Sequence, residues 1–373
     1  MAISPATAED LARAVAMLYE QAELTLIDRL REALAAGIDS PRWADLKLAA
    51  LGDLQAAITE VIAALETDAS GAIHQAVSEA YDRGQQAAVA ELGAVATGQA
   101  AAAAVALPSA PAVDRLAAAL VSETGPVHLR ILRATLDTYR TVIAEASAAP
   151  LLGAQTRRQA AARALASFAA RGVTGFVDRR GRAWNMASYV EMATRSAVGR
   201  AAIEAHSDRL SAAGIELVMV SDAPEECPRC KPWEGKVLTR GGAGGARTIE
   251  VEHATEDGRM VKVRVAGSLP EARSAGLFHP NCRHDVRAFL PGMTRRPGPK
   301  EQRSRATYEQ SQKQRYLERQ VRAWKRKAAG ALEEGERKRA TAHVRAYQAR
   351  IRELVAETGL PRKSHREQTG GAR

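Results

Sequence analysis

With 373 residues, 4% aromatic residues and a formal net charge of +10, the chain is long enough for two or three domains, and its abundant alanine favours helices. Three cysteines exclude the disulfide scaffold of a small secreted protein, and residues 1–10 lack the basic and apolar regions of a signal peptide. The longest weakly apolar stretch, residues 94–107, is shorter than the roughly 20 apolar residues that span a bilayer, so we expect a protein made in a reducing cytoplasm without a membrane segment.

Residues 1–110 are predicted to form an N-terminal helical region. Leucine, isoleucine and valine recur there at helical spacing, and polar or proline-containing starts precede each run. Three helices are predicted, over residues 4–37, 40–66 and 67–92. The alanine-rich segment 93–111 ends with two prolines and is predicted to be a linker.

Residues 111–171 are predicted to be a helical connector, with helices over 112–122, 126–148 and 155–170. From Gly172 the pattern changes to shorter elements. These are an apolar run at 173–177, a turn at 178–181, a helix over 188–213 and a β-branched strand over 215–220. We expect this compact region to extend from residue 172 to residue 294.

The clearest strand pattern lies in residues 247–266. Apolar residues alternate with polar ones on both sides of Asp257-Gly258, a dipeptide typical of a hairpin turn. Glycine-rich segments at 241–245 and 267–276 flank the two strands. We therefore predict an inserted β-hairpin that moves relative to its base.

Residues 295–373 are predicted to form a basic tail of two amphipathic helices, over 308–327 and 332–357, either as a helical hairpin or as a partner-binding helix. This region carries 22 Lys and Arg against nine Asp and Glu, whereas the rest of the chain has a net charge of −3. The positive charge of the tail favours a polyanionic neighbour such as nucleic acid. The fold class that follows is mainly α, with a small α+β core carrying the hairpin between helical N-terminal and C-terminal regions.

Seven residues of the tail are candidates for binding DNA or a partner protein: Trp324, Lys325, Arg326, Lys327, Arg337, Lys338 and Arg339. Their cations could neutralise phosphates, with the tryptophan as an apolar anchor. The alternative is a solvated helix face balanced by Glu318, Glu333, Glu334 and Glu336. No recognised motif for reading a DNA sequence occurs, so any DNA contact is expected to be non-specific.

A small cluster of cysteine and histidine residues could bind a metal. Cys227 and Cys230 form a C-x2-C pair, and His279 and Cys282 form a second pair with the same spacing. Zinc takes four such ligands in a tetrahedron, so these residues predict a structural Zn²⁺ site with three cysteines and one histidine. His284 could replace one ligand or hydrogen-bond to a ligand from outside the site.

Two other interpretations of the cysteines remain open, either small buried residues beside a tight turn or a reversible disulfide between Cys227 and Cys230. A catalytic role is not predicted, because His279, Asn281 and His284 are too close in sequence for the strand–loop–helix arrangement of a zinc-stabilised nuclease. The glycines at 241–245 lack the following Lys-Ser/Thr of a phosphate-binding loop and are predicted to be a hinge.

Five strings, in this order, resemble the phage minor capsid protein 2 family. The first contains Asp-Arg-Arg-Gly-Arg-Ala-Trp and the third contains His-Pro-Asn-Cys-Arg-His. They lie at residues 178–195, 232–237, 276–284, 308–327 and 358–368. The His-Pro-Asn-Cys-Arg core is shared, more loosely, with Mu-type head morphogenesis proteins. The resemblance covers roughly residues 125–370.

The resemblance implies a structural protein of the virion of a tailed bacteriophage, made in the host cytoplasm and acting in head assembly or DNA packaging. Its partners would be the portal protein and capsid components, and no enzymatic activity is implied. A zinc-dependent nuclease acting on packaged DNA is the alternative function. The resemblance does not by itself require zinc, and the hairpin at 247–266 is an elaboration of the family pattern.

Overall fold

The computed structural model describes residues 5–93, 110–151, 155–177, 181, 183–223, 227–279, 282–295 and 306–369. The helices are α1 (Pro5–Ala35), α2 (Trp43–Ala49), α3 (Leu51–Gly93), α4 (Ala110–Leu151), α5 (Arg157–Arg171), α6 (Met186–Ala212), α7 (Leu269–Ser274), α8 (Tyr308–Ala329) and α9 (Glu334–Thr358). The strands are β1 (Thr174–Val177), β2 (Ala183–Asn185), β3 (Leu217–Val220), β4 (Val237–Thr239), β5 (Arg247–Glu252), β6 (Met260–Val265), β7 (Gly267–Ser268) and β8 (Val286–Ala288). This mainly helical chain with a small sheet region confirms the predicted fold class.

Two helix breaks predicted from the sequence are wrong, because α3 runs through Thr67 and α4 runs through Gly125-Pro126. The Thr67 hydroxyl donates to the carbonyl of Ala63 (3.1 Å) and therefore acts inside the helix instead of capping a new one. Pro126 costs α4 one backbone hydrogen bond, but the next turn buries Val127. The linker predicted at 93–111 and the turn predicted at 178–181 lie outside the described residues except at their ends.

An unpredicted break at Ala50 separates α2 from α3. Among the described residues no single helix is long and apolar enough to cross a membrane. The bent pair of α2 and α3 would pass that test together, by length and composition only.

The chain forms two compact units. The sheet unit consists of Met1–Arg13, Ile73–Leu120 and Met192–Tyr308. The helix unit consists of Ala14–Ala72, Val121–Glu191 and Glu309–Arg373. The division of the chain into four consecutive regions (1–110, 111–171, 172–294 and 295–373) stays a prediction.

The centre of the sheet unit is a four-stranded sheet with the order β7-β4-β3-β8. Strand β3 pairs antiparallel with both of its neighbours, and all four of its side chains are buried. One face of the sheet packs on the C-terminal turns of α3 and on α6, through residues that include Val218, Val220, Leu92 and Leu210. A strand covered on both faces is a continuous apolar run, which is why the sequence identified it.

The hairpin of β5 and β6 covers the opposite face of this sheet. Ile249 pairs with Val263, so both side chains lie on one face of the hairpin. That face packs against Leu217, Met219 and Val237 of the sheet. The hairpin itself was predicted correctly, but its apolar face is occupied by the core.

The flanks of the hairpin also make contacts within the sheet unit. The carboxylate of Glu271 accepts hydrogen bonds from the backbone N–H groups of Gly245 (2.8 Å) and Ser268 (3.2 Å). His253 follows β5, at the turn end of the hairpin, and its ring lies close to Gly292. Any side chain at position 292 would collide with that ring. Gly244 and Gly267 likewise lie where a side chain would collide with Glu271, whereas Gly241, Gly242 and Gly245 have open space around them. The hinge stays a prediction.

In the helix unit, α8 and α9 pair as the predicted helical hairpin. They pack through an apolar row of Leu317, Val321, Val344, Ile351 and Leu354. The segment after α9 folds back across both helices and is held by polar contacts. Buried Glu367 accepts from the guanidinium of Arg362 (2.8 and 2.9 Å) and from the amide of Gln348 (3.0 Å). The predicted tail is therefore a folded part of this unit.

A buried ion pair joins α8 to α1 and α5 in the same unit. The side chains of Glu23 and Arg326 are 3% and 9% exposed, and their charged groups lie 3.6 Å apart. Arg326 also donates to the carbonyls of Ala169 and Ala170 at the end of α5 (3.0 Å each). Glu23 in turn accepts from the backbone N–H of Val173 (2.8 Å), so both charges are satisfied.

Replacing Arg326 by methionine should lower the free energy of unfolding of the helix unit by about 3–5 kcal/mol, because Glu23 would stay buried without its cation. Burial already raises the pKa of Glu23, and Arg326 opposes that rise. Urea unfolding followed by circular dichroism measures the change. Arg337→Ala removes an exposed pair with Glu334 and should cost well under about 1 kcal/mol. Equal urea midpoints for the two variants would contradict the buried pair.

Buried His128 should make the helix unit less stable below neutral pH. Its Nε2 lies 3.0 Å from the Tyr19 hydroxyl, and burial lowers the pKa of the imidazole from 6.5 against the opposing effect of Glu66. Since the unfolded chain takes up the proton more readily, stability present above about pH 6.5 is lost as the pH falls. Between about pH 7 and about pH 5, the urea midpoint of the wild type should fall more steeply than that of His128→Gln. Parallel curves would refute this.

Candidate metal centre

The sheet brings the two halves of the Cys/His cluster together. Val220 at the end of β3 pairs with Val286 at the start of β8, so the chain leaving one strand runs beside the chain entering the other. The pairing continues beyond the sheet, where the Ser221 backbone N–H donates to the carbonyl of Asp285 (3.0 Å). Residues that follow β3 therefore meet residues that precede β8.

Cys227 and Cys230 lie in a tight turn after β3. The backbone N–H groups of Cys230 and Lys231 both donate to the carbonyl of Cys227 (3.1 Å each), and a short 3-10 helix follows at Lys231–Trp233. His279 Nε2 lies 2.9 Å from Cys227 Sγ. The ligand atoms of Cys227, Cys230 and His279 all lie within 4.8 Å of one another.

A second group of three shares Cys230 with the first. Cys230 Sγ lies 3.5 Å from Cys282 Sγ, and Cys282 Sγ lies 3.4 Å from His284 Nδ1. These three ligand atoms are also within 4.8 Å of one another. The structure thus brings together all five residues that the sequence singled out, including the alternative ligand His284.

Glu234 is a member of the cluster that sequence reasoning missed. Its carboxylate Oε1 lies 2.7 Å from His284 Nε2, and the two side chains are 6% and 3% exposed. Glu234 lies one residue beyond the short 3-10 helix that follows the C-x2-C turn, inside the string 232–237. Its contact is with a residue fifty positions away, which no local spacing indicates.

The thiols differ in their affinity for protons. A hydrogen bond from the Cys230 thiol lowers the pKa of Cys282 to about 4, with His284 adding to this effect against burial. The same hydrogen bond and burial raise the pKa of Cys230. Burial raises the pKa of Cys227, but hydrogen bonds from His279 and from backbone N–H groups outweigh it and the net pKa is lowered. Thiolates are therefore stabilised at Cys282 and Cys227, the form that binds metals.

Burial puts the cluster at the edge of the core. Cys230 is fully buried among Val218, Val220 and Leu238, while Cys227 and Cys282 pack partly against the same residues. All three cysteines are free, so the alternative interpretation, a disulfide between Cys227 and Cys230, is not formed in this structure. The closest pair of sulfur atoms involves Cys230 and Cys282.

The first four candidates of the basic set are held inside the helix unit. Arg326 is buried in its ion pair and is removed from any surface that could face DNA, which corrects its assignment. Lys325 donates to the Gln368 side chain (2.6 Å). Trp324 stacks on His343 with ring centres 3.9 Å apart, and the Lys327 ammonium lies 4.0 Å from the tryptophan ring centre.

The other three candidates, Arg337, Lys338 and Arg339, are exposed at the start of α9. Sequence reasoning missed three more exposed arginines on this helix: Arg345, Arg350 and Arg352. A signal was present, because six Lys and Arg and no Asp or Glu occur between residues 337 and 352. Among the described residues α9 therefore carries six exposed Lys and Arg, and α8 adds exposed Lys313 and Arg319.

Comparison with known proteins covers the first four of the five strings noted in the sequence, and the fifth, at 358–368, lies beyond the matched residues. The profile of the family described as phage minor capsid protein 2 matches residues 3–356. A protein named "Structural protein" from Lactococcus phage LL-H is 27% identical over 242 residues, which are 63% of this chain and 62% of that protein. Another "Structural protein", from Lactococcus phage mv4, is 35% identical over 99 residues, 25% of this chain and 80% of that protein.

No solved structure matches the chain. The chain spans about three fifths of the length of the phage LL-H protein, with 62% covered. The family profile, in contrast, covers nearly all of the chain. The chain therefore belongs to the phage minor capsid protein 2 family and is a structural protein of a bacteriophage.

Proposed function

We propose that this minor capsid protein acts in head assembly or DNA packaging at the portal vertex, with the portal protein and capsid proteins as its partners. Membership of the family and the names of the two phage relatives support a place in the virion. We also propose that the exposed face of α9 contacts the packaged DNA. The single observation that carries this second part is the row of cations on that face.

Lys338, Arg345 and Arg352 are spaced seven residues apart, so they lie along one line on α9, about 10.5 Å from one to the next. All three are exposed, and the line runs on the side away from the buried row that includes Val344 and Ile351. The row spans about 21 Å of helix. Duplex DNA carries one charge per roughly 1.7 Å of its axis, so a row of this length meets several phosphates.

The composition of this face favours DNA over an acidic protein surface. Protein interfaces are built around buried aromatic, Met and aliphatic anchors, whereas DNA-binding surfaces are polar and strongly positive. Between the three cations on this face lie Thr341, Ala342, Gln348 and Ala349, none of which is such an anchor. No carboxylate occurs within the stretch to compete with phosphate.

No observation favours the nuclease alternative. The nuclease would need His279 and His284 as catalytic residues. His279 contacts Cys227, and His284 contacts both Cys282 and Glu234, which suits a structural site. Asn281 lies outside the described residues. The proposed role is structural, with the protein acting through contacts and not through a reaction.

Replacing Lys338, Arg345 and Arg352 together by alanine should weaken binding of the full chain to duplex DNA by about 10-fold or more at low salt, because several phosphate contacts are lost. The slope of log K against log salt should fall by about 2–3. Fluorescence anisotropy with a labelled duplex of arbitrary sequence measures both quantities. Alanine preserves the helix at these exposed positions.

The matched control replaces Arg29, Arg133 and Arg140, three exposed arginines of α1 and α4, and removes the same charge. It should leave the affinity within about 2-fold of the wild type, since only non-specific attraction changes. Equal losses for the two triple variants would mean that net charge and not the α9 face binds DNA. No measurable binding by the wild type would refute the DNA contact outright.

The protein should be found in purified virions, in few copies compared with the major capsid protein. Mass spectrometry of virions and proheads measures its abundance, and crosslinking before digestion should join its peptides to those of the portal protein. Absence from both particles would refute a structural place in the head. Presence with crosslinks only to major capsid protein would refute the position at the portal.

A further inference from the structure

We propose that the sheet unit binds one structural Zn²⁺ through Cys227, Cys230, Cys282 and His284, with Glu234 positioning His284. His279, the histidine favoured by sequence spacing, contacts Cys227 from outside the ligand set. The proposal concerns the sheet unit and is independent of the DNA contact on α9.

Two distances between ligand atoms are close to the edges of a zinc tetrahedron. With Zn–S bonds of about 2.3 Å and Zn–N bonds of about 2.0–2.1 Å, two sulfur ligands lie about 3.8 Å apart, and a sulfur and a nitrogen lie about 3.6 Å apart. Cys230 Sγ and Cys282 Sγ are 3.5 Å apart, and Cys282 Sγ and His284 Nδ1 are 3.4 Å apart. The C-x2-C turn holds the fourth ligand, Cys227, within 4.8 Å of Cys230. In this structure Cys227 is grouped with Cys230 and His279 and not with Cys282 and His284, so its thiol has to move toward those two residues when the ion binds.

His284 has the second contact that a histidine ligand needs. With Nδ1 directed to the thiols, its Nε2 faces the carboxylate of Glu234 at 2.7 Å, and both side chains are almost fully buried. Metal-bound histidines commonly donate their other ring N–H to a carboxylate, which fixes the ring and its tautomer. For His279, Nε2 is the atom that lies 2.9 Å from Cys227 Sγ, a hydrogen-bond distance shorter than the sulfur–nitrogen edge of the tetrahedron.

A further hydrogen bond favours a thiolate ligand. The backbone N–H of His284 lies 3.4 Å from Cys282 Sγ. Three thiolates and an imidazole form a soft ligand set that suits Zn²⁺ and excludes Ca²⁺ and Mg²⁺, which require oxygen ligands. Four protein ligands leave no open position, as expected of a structural site.

Zinc at this place would join the segment after β3 to the segment before β8. These segments are already adjacent because Val220 pairs with Val286, and Cys230 belongs to the core beneath the sheet. The binding energy of the ion would therefore stabilise the sheet unit directly.

The test measures zinc by elemental analysis in the full chain, purified without chelator. We expect about one equivalent in the wild type and in His279→Ala, and little in Cys282→Ser and His284→Ala. His74→Ala, a change at an exposed histidine of α3, is the matched control and should keep its zinc. A wild type without zinc overturns the site. Loss of zinc in His279→Ala with retention in His284→Ala overturns the ligand set.

Two further variants separate loss of a ligand from loss of folding. His284→Cys replaces the histidine ligand by a fourth cysteine and should retain zinc. If the imidazole only supported the fold, this variant would lose zinc as His284→Ala does. Glu234→Gln should keep the fold by circular dichroism but bind zinc about 10–100-fold more weakly in competition with a chromophoric chelator. Unchanged zinc affinity in Glu234→Gln would overturn the positioning role. Absorption of the Co²⁺-substituted wild type should show thiolate-to-metal bands of a tetrahedral site, and their absence would contradict cysteine ligation.

Discussion

The pairing of β3 with β8 is the constraint on which the sheet unit depends. It joins segments that are far apart in the sequence, and it fixes what lies on each face and at each end. One face of β3 meets α3 and α6, and the other meets the hairpin of β5 and β6. At the end of the pair, the chain after β3 and the chain before β8 bring the Cys/His cluster together. Shifting this pairing by one residue would exchange the two faces and separate the ligands.

The helix unit depends on buried charge in a comparable way. The carboxylates of Glu23 and Glu367 would be costly to bury alone. Glu23 pairs with Arg326, and Glu367 pairs with Arg362. Arg326 ties α1 and α5 to α8, whereas Arg362 pairs with Glu367 inside the segment after α9, and the amide of Gln348 joins Glu367 to α9. Cations of the tail are thus divided between two roles. Arg326 stabilises the fold, whereas the row of cations on α9 is exposed. The net charge of the tail therefore counts cations that are buried and cannot contact a polyanion.

Sequence reasoning was reliable where the determining interactions are local. Helical periodicity located α8 and α9, and the Asp257-Gly258 turn located the hairpin, because each pattern lies within one or two elements. The spacing of the cysteines found the cluster for the same reason. It did not find Glu234, whose partner lies fifty residues away, or the burial of Arg326, which looks like any surface cation until α1 and α5 are in place. The close contacts at Gly244 and Gly267 were also not predicted, because a glycine that permits close contact and one that permits motion have the same sequence signal.

The division of the chain between the two units sets an order for folding during synthesis. Every residue of the sheet unit, up to Tyr308, is synthesised before Glu309–Arg373 of the helix unit. Domains generally fold as units in the order in which they emerge. Until α8 emerges, Glu23 has no cation to accompany it into the interior, so α1 and α5 cannot close around it. The helix unit is therefore completed last, and the segment that carries the α9 cations is the one that completes it.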